Sequence, residues 1–261
     1  MRYALLSDIH GNRPALEAVL SNIAARSDVD AMYHLGDLVG YSPWPNEVVD
    51  LIRRADLPGV AGNYDSTVAT HYKNCGCRYE DPQQEQLSHR SYEWTLGHVS
   101  PETTAFLRAL PFRIDVRPFG GHVSGPRMAL VHAHTSNNLI YVEETRPDAF
   151  LSKMADSAGL VKGDVLAFGH THKPWSREVD GVHFVNTGSV GRPKDGDWRA
   201  GYVTVDIAEG RCDVEFIRVE YDVDAAARAI EASELPNEFA TFLRTGGKTS
   251  VAVPASVPTI G

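Results

Sequence analysis

Short clusters of aspartate, histidine and asparagine recur along this 261-residue chain, and each follows a run of apolar residues. The first cluster contains Asp8 and His10, and alternation along an extended backbone predicts that both side chains point to the same side. Carboxylate, imidazole and amide ligands without thiolate suit manganese, iron or zinc. This cluster therefore predicts two ligands for one metal ion.

Four further clusters follow later apolar runs, and glycine precedes most of them, which lets the backbone turn sharply where a strand ends. Taken singly, each cluster is weak evidence, because an isolated histidine is more often structural. Their order along the chain and their shared position at strand ends favour a metal site. The four clusters are Gly36-Asp37, Gly62-Asn63-Tyr64-Asp65, His132 and Gly169-His170-Thr171-His172.

The elements that must position these clusters are predicted strands and helices in alternation. Helical periodicity follows Pro14, a residue that suits a first helical turn, and places Leu16, Val19 and Ile23 on one face. Such alternation is typical of an α/β fold. The predicted strands cover residues 3–6, 31–35, 59–61, 128–131, 165–168 and 182–185.

Residues 66–111 break this alternation, and we expect a cap or insertion there, with a helix over about residues 85–96. Farther along, a hairpin and a helix over residues 223–232 are predicted. The hairpin strands are residues 201–207 and 212–219. We therefore expect one domain over residues 1–245 and a flexible tail over residues 246–261.

Composition restricts the classes of function. The chain is 43% hydrophobic, which is enough for the core of one large domain. Its formal charge of -9 argues against broad binding of nucleic acid, which needs lysine and arginine to displace counterions. We expect no signal peptide before Tyr3 and no membrane-spanning run. Three cysteines form no disulfide framework, so a cytoplasmic location is predicted.

From Asp8 to the segment Asn186-Thr187-Gly188-Ser189-Val190-Gly191, the sequence resembles the calcineurin-like metallophosphoesterase superfamily, in its bacterial phosphodiesterase-like branch. The resemblance implies a four-layer α/β/β/α sandwich of two mixed sheets flanked by helices, here with a small cap insertion. It also implies two divalent transition-metal ions, for which we expect manganese first and iron or zinc as alternatives. It suggests Asp8, His10 and His172 on one ion, Asn63, His132 and His170 on the other, and Asp37 bridging both.

Two such ions, about 3.5 to 4 Å apart, lower the pKa of a bridging water. We therefore expect the metal-bridging hydroxide to attack phosphorus. The family usually has a histidine at the position of Tyr64, and the resemblance gives that histidine a part in protonating the leaving oxygen. A tyrosine with a pKa near 10 is a poorer proton donor. Phosphodiesters, or substrates with good leaving groups, are therefore expected, with His134 or His71 as substitute donors. His134 could equally be a partly exposed loop histidine.

Candidate substrate contacts follow the metal clusters or the Asn-Thr-Gly-Ser segment, and they are Asn12, Arg13, Tyr41 and Arg192. Arginine favours bidentate phosphate binding, although a surface salt bridge is an equal alternative for each arginine. Cys75-Gly-Cys77 is interpreted as packing or a tight turn rather than as part of a zinc site with His71 or His89.

We therefore expect a two-metal phosphoesterase that acts on phosphodiesters, with small or cyclic nucleotides as plausible substrates. One alternative is a phosphomonoesterase of the serine/threonine phosphatase type. Another is a catalytically silent scaffold, as in the retromer coat, although seven intact ligands argue against it. A nuclease is disfavoured by the acidic charge. The expected partner is a small phosphorylated substrate, without a membrane or a nucleic-acid polymer, and the oligomeric state is left open.

Overall fold

The computed structural model describes residues 1–77, 81–118, 125–208 and 211–248. Within these residues, nine strands form two sheets and eight helices cover them. In chain order, the strands are β1 (Arg2–Leu6), β2 (Ala31–His34), β3 (Arg113–Val116), β4 (Met128–Val131), β5 (Val165–Phe168), β6 (Trp175–Val179), β7 (Val182–Asn186), β8 (Ala200–Ala208) and β9 (Arg211–Val219).

The helices lie mainly on the outer side of the first sheet, and four of them carry proline in their first turn, where its missing N–H costs no hydrogen bond. They are α1 (Arg13–Ala24), α2 (Pro45–Arg54), α3 (Asn63–Ala69), α4 (Pro82–His98), α5 (Pro101–Ala109), α6 (Asp148–Ala158), α7 (Val223–Glu231) and α8 (Glu238–Arg244). Of these, α6 packs on the second sheet.

The two sheets are both mixed. The first has the strand order β2-β1-β8-β9, in which β1 and β2 run parallel and the other pairs are antiparallel. The second has the order β3-β4-β5-β7-β6, in which β4, β5 and β7 run parallel. The expected sandwich of two mixed sheets flanked by helices is therefore confirmed.

Side-chain alternation along the strands separates the layers. On β1, Tyr3 and Leu5 pack in the core between the sheets, while Ala4 and Leu6 pack against the helices. The residues of β4 divide in the same way between the inter-sheet core and α6. Because both faces of these strands are buried, their sequences are continuous apolar runs.

Most predicted elements are found, namely the strands β1, β2, β4, β5 and β7, the β8–β9 hairpin, and the helices α1, α4 and α7. The predicted strand over residues 59–61 was wrong. In the described structure this run forms a single bridge, between His34 and Gly59. Two residues later the Ala61 N–H donates to Pro111 O, so the chain leaves β2 before a ladder can form.

Residues 66–111 supply α4 and α5 to the helical layer, where Leu87, Tyr92 and Leu107 are buried. Their designation as a cap, and the limits of the domain at residue 245, remain predictions. Residues 249–261 of the predicted tail lie outside the described residues. In the part of the chain that the structure describes, no helix combines the length and the apolar character needed to cross a membrane.

His34, at the end of β2, is a fully buried histidine that belongs to neither group of possible metal ligands found among the described residues. No described residue forms a hydrogen bond with either ring nitrogen. Burial lowers the pKa of His34 to about 3, because the protonated imidazole would lose its hydration without gaining a partner. The folded protein therefore holds a neutral imidazole at this position.

The free energy of unfolding should fall as the pH drops from 6.5 toward 3, because unfolded His34 binds a proton that folded His34 does not. We expect His34→Leu to remove this dependence. As the pH falls from 7 to 4.5, the unfolding free energy of His34→Leu should rise relative to that of the parent protein by about 2–3 kcal/mol. Guanidinium unfolding of the metal-free proteins measures this shift, with exposed His89→Leu as the control. A difference that did not change with pH would contradict the expectation.

Candidate metal centre

Six of the seven predicted ligands gather into two buried groups of three. Within each group, one ligand atom from every residue lies within 4.8 Å of the others. Among the described residues, no other group of three or more such side chains has this geometry. The first group is Asp8, His10 and His172, and the second is Asp37, His132 and His170.

The loops that carry these ligands follow β1, β2, β4 and β5, and most of the ligands have a left-handed backbone. Asp8, His10, Asp37, His170 and His172 have φ angles between 51° and 68°. Aspartate and histidine enter this region more readily than most residues, at a cost of about 1–3 kcal/mol each. The expectation that an extended backbone aligns Asp8 with His10 was therefore wrong, because tight turns aim both side chains.

Glycine is required where the loops after β2 and before α3 touch. Gly36 has a φ of +87°, and a Cβ there would collide with the backbone nitrogen of Gly62. This close approach brings Asp37 next to Asn63 without a side chain between the two loops. It agrees with the sharp turn predicted at Gly36.

The histidines of the first group present lone pairs to each other. His172 Nε2 lies 3.1 Å from His10 Nε2 and 3.2 Å from Asp8 Oδ1. His10 Nδ1 donates to Val39 O at 3.1 Å, and His172 Nδ1 donates to Arg192 O at 2.6 Å. In this tautomer neither Nε2 carries a proton, so the two nitrogens cannot bond to each other. A cation between them would satisfy both.

In the second group, a backbone carbonyl orients His132 as carbonyls orient the histidines of the first group. Its Nδ1 donates to Leu35 O at 2.7 Å, which leaves Nε2 as an acceptor. That Nε2 faces His170 Nδ1 at 3.2 Å and the seventh predicted ligand, Asn63 Oδ1, at 3.1 Å. The second predicted ligand set is therefore brought together, with Asn63 beside His132.

Asp37 lies between the two groups. Its Oδ2 is 3.7 Å from His10 Nε2 and 3.5 Å from His132 Nε2, while its Oδ1 accepts from Tyr64 N at 2.9 Å. This placement fits the bridging position that the resemblance implies. Burial, with Asp8 and Asp65 nearby, raises the pKa of Asp37 well above its ordinary value.

The donor set fits divalent cations. Burial lowers the pKa of His10 and of His170 well below the ordinary value and that of His172 to about 4, so these imidazoles are neutral at pH 7, as metal ligands must be. Asp8 Oδ1 is buried and has no hydrogen-bond partner among the described residues. A buried carboxylate oxygen without a donor is costly unless a cation is present.

Asn63 is oriented by the Cys75–Cys77 turn. Its Nδ2 donates to Cys75 O at 2.9 Å and lies 3.3 Å from Cys77 Sγ, which directs Oδ1 toward His132. Gly76 has a φ of +73°, and Cys77 N donates to Cys75 Sγ at 3.3 Å. These contacts agree with the tight turn that was favoured over a zinc site.

Asp65 holds the two ligand loops together, although it was not predicted to be a site residue. Its buried carboxylate accepts from Asp37 N at 2.8 Å, Leu38 N at 2.9 Å and Gly62 N at 2.9 Å. Its position at the end of the Gly-Asn-Tyr-Asp cluster is the signal that could have identified it.

Tyr41 and Tyr64 line a pocket to which both groups contribute ligands. Their rings meet the His10 ring nearly edge-on, with centroid distances of 4.9 Å for Tyr41 and 5.6 Å for Tyr64. The Tyr41 hydroxyl lies 2.9 Å from Ser88 Oγ, and burial raises the pKa of Tyr41. Tyr64 is fully buried. Both predicted tyrosines are therefore at the site, with their rings packed against a ligand.

Arg192 packs against aromatic rings next to the site and does not form the phosphate contact that was expected. Its side chain is buried, with the guanidinium carbon 4.1 Å from the centre of the Tyr41 ring and 3.9 Å from that of Phe242. Its carbonyl orients His172. Arg192 is not among the residues that line the pocket.

Asn12 and Arg13 also have other partners. Asn12 is buried, its Oδ1 accepts from Ala15 N at 3.3 Å as the α1 cap, and its Nδ2 donates to Gly191 O at 3.0 Å. Arg13 is exposed and pairs with Glu17 at 2.7 Å, which agrees with the salt-bridge alternative. Neither residue lines the pocket, and their roles as substrate contacts stay predictions.

The two histidines suggested as proton donors do not line the pocket either. His134 is half-buried, and its Nδ1 lies 2.9 Å from Ser136 Oγ. Burial and the nearby Arg146 lower the pKa of His134. His71 is exposed. A part for either residue in proton transfer stays a prediction.

Cys77, expected only as part of a tight turn, also lines the pocket, and two further pocket residues were not anticipated. The Tyr141 ring lies 4.3 Å from the His170 ring, centroid to centroid. Lys194, two positions after Arg192, also lines the pocket, and burial lowers the pKa of Lys194 to about 8. Neither residue belongs to a cluster of ligand type, so spacing gave no signal for them.

Comparison with known proteins identifies relatives over most of the chain. Residues 1–210 match the family model of the calcineurin-like phosphoesterase superfamily domain. The uncharacterised protein MJ0912 of Methanocaldococcus jannaschii is 31% identical over 252 residues, which cover 89% of this chain and 93% of that protein. Phosphodiesterase YfcE of Escherichia coli is 26% identical over 197 residues, which cover 76% of this chain and 83% of YfcE.

A similar solved structure is that of a metallophosphoesterase from Sphaerobacter thermophilus. It has a TM-score of 0.72 and 27% sequence identity, and the match covers 94% of this chain and 99% of that one. The likeness therefore extends over both sheets and the helices that cover them.

We expect Asp65→Asn to reduce the unfolding free energy of the metal-free protein by about 2–4 kcal/mol, because an amide NH₂ would face backbone N–H donors. Metal affinity should fall as well, since the loops of Asp37 and Asn63 lose their shared acceptor. Guanidinium unfolding and metal content after dialysis measure the two effects. Exposed Asp50→Asn is the matched control, and an Asp65→Asn protein equal to it in both assays would refute this role.

Proposed function

The chain belongs to the calcineurin-like phosphoesterase superfamily, and from this premise we propose that it hydrolyses phosphodiesters with two divalent metal ions. Membership in the family and the two ligand groups support a metal-dependent phosphoester hydrolase. The observation that carries the two-metal proposal is the position of Asp37 Oδ2 between His10 Nε2 and His132 Nε2.

Each residue of the centre has a distinct part in this proposal. Bound ions would supply Lewis acidity and lower the pKa of water. Backbone carbonyls fix the rings of His10, His132 and His172, so their nitrogens need no rearrangement to bind. The ion ligands would be Asp8, His10 and His172 for one site, Asn63, His132 and His170 for the other, and Asp37 for both.

The charge of the donor set supports an anionic substrate. Only two of the seven ligands, Asp8 and Asp37, are carboxylates, and Asn63 contributes a neutral oxygen. Two divalent ions would therefore leave the centre with a net positive charge, which attracts a phosphate ester. We propose manganese as the ion, with iron and zinc as alternatives. Nitrogen and oxygen ligands without thiolate suit all three ions.

The preference for diesters rests on Tyr64. It takes the place of the histidine that the family usually has, and its ring is buried against His10. A tyrosine donates a proton less readily than histidinium, which disfavours alkyl monoesters with poor leaving groups. The similarity to a protein named as a phosphodiesterase also supports this preference.

Small nucleotide-like or cyclic substrates are proposed because the net charge of -9 offers no general attraction for a polyanion. A cytoplasmic site of action is proposed from the three cysteines, which are all free. Both proposals depend on the chemistry of this chain and not on its relatives.

Metal-stripped protein reconstituted with manganese should hydrolyse bis-p-nitrophenyl phosphate faster than p-nitrophenyl phosphate. Asp37→Asn should lower the rate by about 100-fold or more, because the bridging carboxylate is lost while its shape is kept. Steady-state rates with manganese, zinc, iron or magnesium measure this, with exposed Asp156→Asn as the control. Turnover of neither ester with any metal would reject the proposal, and turnover of the monoester alone would reject the diester preference.

Tyr64→His should raise kcat/KM for an alkyl monoester such as glycerol phosphate by about tenfold or more, because an imidazolium could protonate the leaving oxygen. Tyr64→Phe, which removes the hydroxyl and adds no proton donor, is the matched control and should show no gain. Rates for both variants with equal metal content test this. A Tyr64→His protein without any gain would show that Tyr64 does not set the substrate preference.

A further inference from the structure

Lys194 lies in a loop after β7 whose backbone is fixed beside the metal centre. Its N–H donates to His172 O at 3.2 Å, and two residues later Gly196 N donates to Gly246 O at 2.8 Å. The Arg192 N–H donates to Ser189 Oγ at 2.8 Å. These bonds hold the start of the Lys194 side chain next to a predicted ligand.

Lys194 is the one lysine or arginine among the described residues that line the pocket of the two ligand groups. Arg192, the cation expected there, packs between the rings of Tyr41 and Phe242. The only positively charged side chain placed to meet a ligand in this pocket is therefore that of Lys194, within the part of the chain that the structure describes.

The acidic residues of the same loop are already paired. Asp195 forms an ion pair with Arg218, and Asp197 pairs with Arg199 at 2.7 Å. In the described ranges, no carboxylate oxygen lies within 4.0 Å of Lys194 Nζ, whereas the neighbouring Lys173 lies 3.9 Å from Glu143. Lys194 is partly buried, so its charge lacks both a fixed counterion and full hydration.

An anion that enters the pocket would give the Lys194 ammonium a counterion. Two divalent cations at the ligand groups would add positive charge beside Lys194, and an anion shared by the cations and the ammonium would offset it. A phosphoryl group has more than one oxygen available for such sharing, and a lysine ammonium has three donors.

We propose that Lys194 binds the non-bridging phosphoryl oxygens of the substrate and so performs the phosphate contact that the sequence predicted for Arg192. The inference rests on the proposed function, since it takes phosphate esters as the ligands of this pocket. Lys194 holds the phosphoryl group at the centre while Asp37 and the histidines hold the ions.

Inorganic phosphate is the probe, and calorimetry with the manganese-loaded protein measures its Kd. Lys194→Met should weaken phosphate binding by about 10- to 100-fold, because a charged hydrogen bond is lost. Lys194→Arg, which keeps the charge, should retain most of the affinity. Lys173→Met removes a neighbouring positive charge that does not line the pocket and should leave the Kd unchanged. KM for the diester should rise in Lys194→Met more than kcat falls.

An unchanged Kd in Lys194→Met, or an equally weak Kd in Lys194→Arg, would overturn the inference. A loss of manganese from Lys194→Met would also overturn it, because Lys194 would then stabilise the metal ions instead of binding phosphate. The outcomes separate this inference from the proposed function. A parent protein that cleaves the diester while Lys194→Met binds phosphate normally would reject Lys194 alone. A parent protein that binds phosphate through Lys194 but cleaves neither ester would reject the hydrolase.

Discussion

Two buried carboxylates, Asp8 and Asp37, face the same small space, and the surrounding structure makes this arrangement tolerable. Like charges removed from water repel each other strongly, so each must be stabilised by hydrogen bonds or by cations. Backbone N–H groups of Tyr64 and His170 supply part of that stabilisation. Four buried imidazoles surround the carboxylates, and their ring nitrogens could share a cation with them. Divalent ions at the two ligand groups would complete this balance of charge.

The ligand loops also carry backbone strain. Five ligands have left-handed φ angles, and each such residue costs about 1–3 kcal/mol. Four of these ligands lie in short turns after the buried strands β1 and β5, and Asp37 lies in the turn after β2. Asp65 connects the turn after β2 to the loop before α3 through three backbone N–H groups. The rigid sheets therefore fix the turns, and the turns fix the directions of the ligands.

The elements and ligands that could be predicted from the sequence are those for which one physical requirement, burial or metal binding, restricts the residue types. Strands such as β4 and β5 were found because burial on both faces demands apolar residues, whereas edge strands such as β3 and β6, which mix charged and apolar residues, were missed. The ligand clusters were found because metals restrict the residue types. The substrate contacts could not be assigned, because they depend on packing: aromatic rings hold Arg192 away from the pocket, and Lys194 has no neighbour of ligand type in sequence.

Each group of three ligands draws on both sheets, since Asp8 and His10 follow β1 while His172 follows β5, and Asp37 follows β2 while His132 and His170 follow β4 and β5. Neither group can assemble before the segment containing residues 170–172 has been synthesised and the two sheets have docked. A nascent chain that has released only β1 and β2 from the ribosome holds at most an incomplete set of ligands. A complete set of ligands for either ion therefore exists only late in the folding of this protein, once the two sheets are in contact.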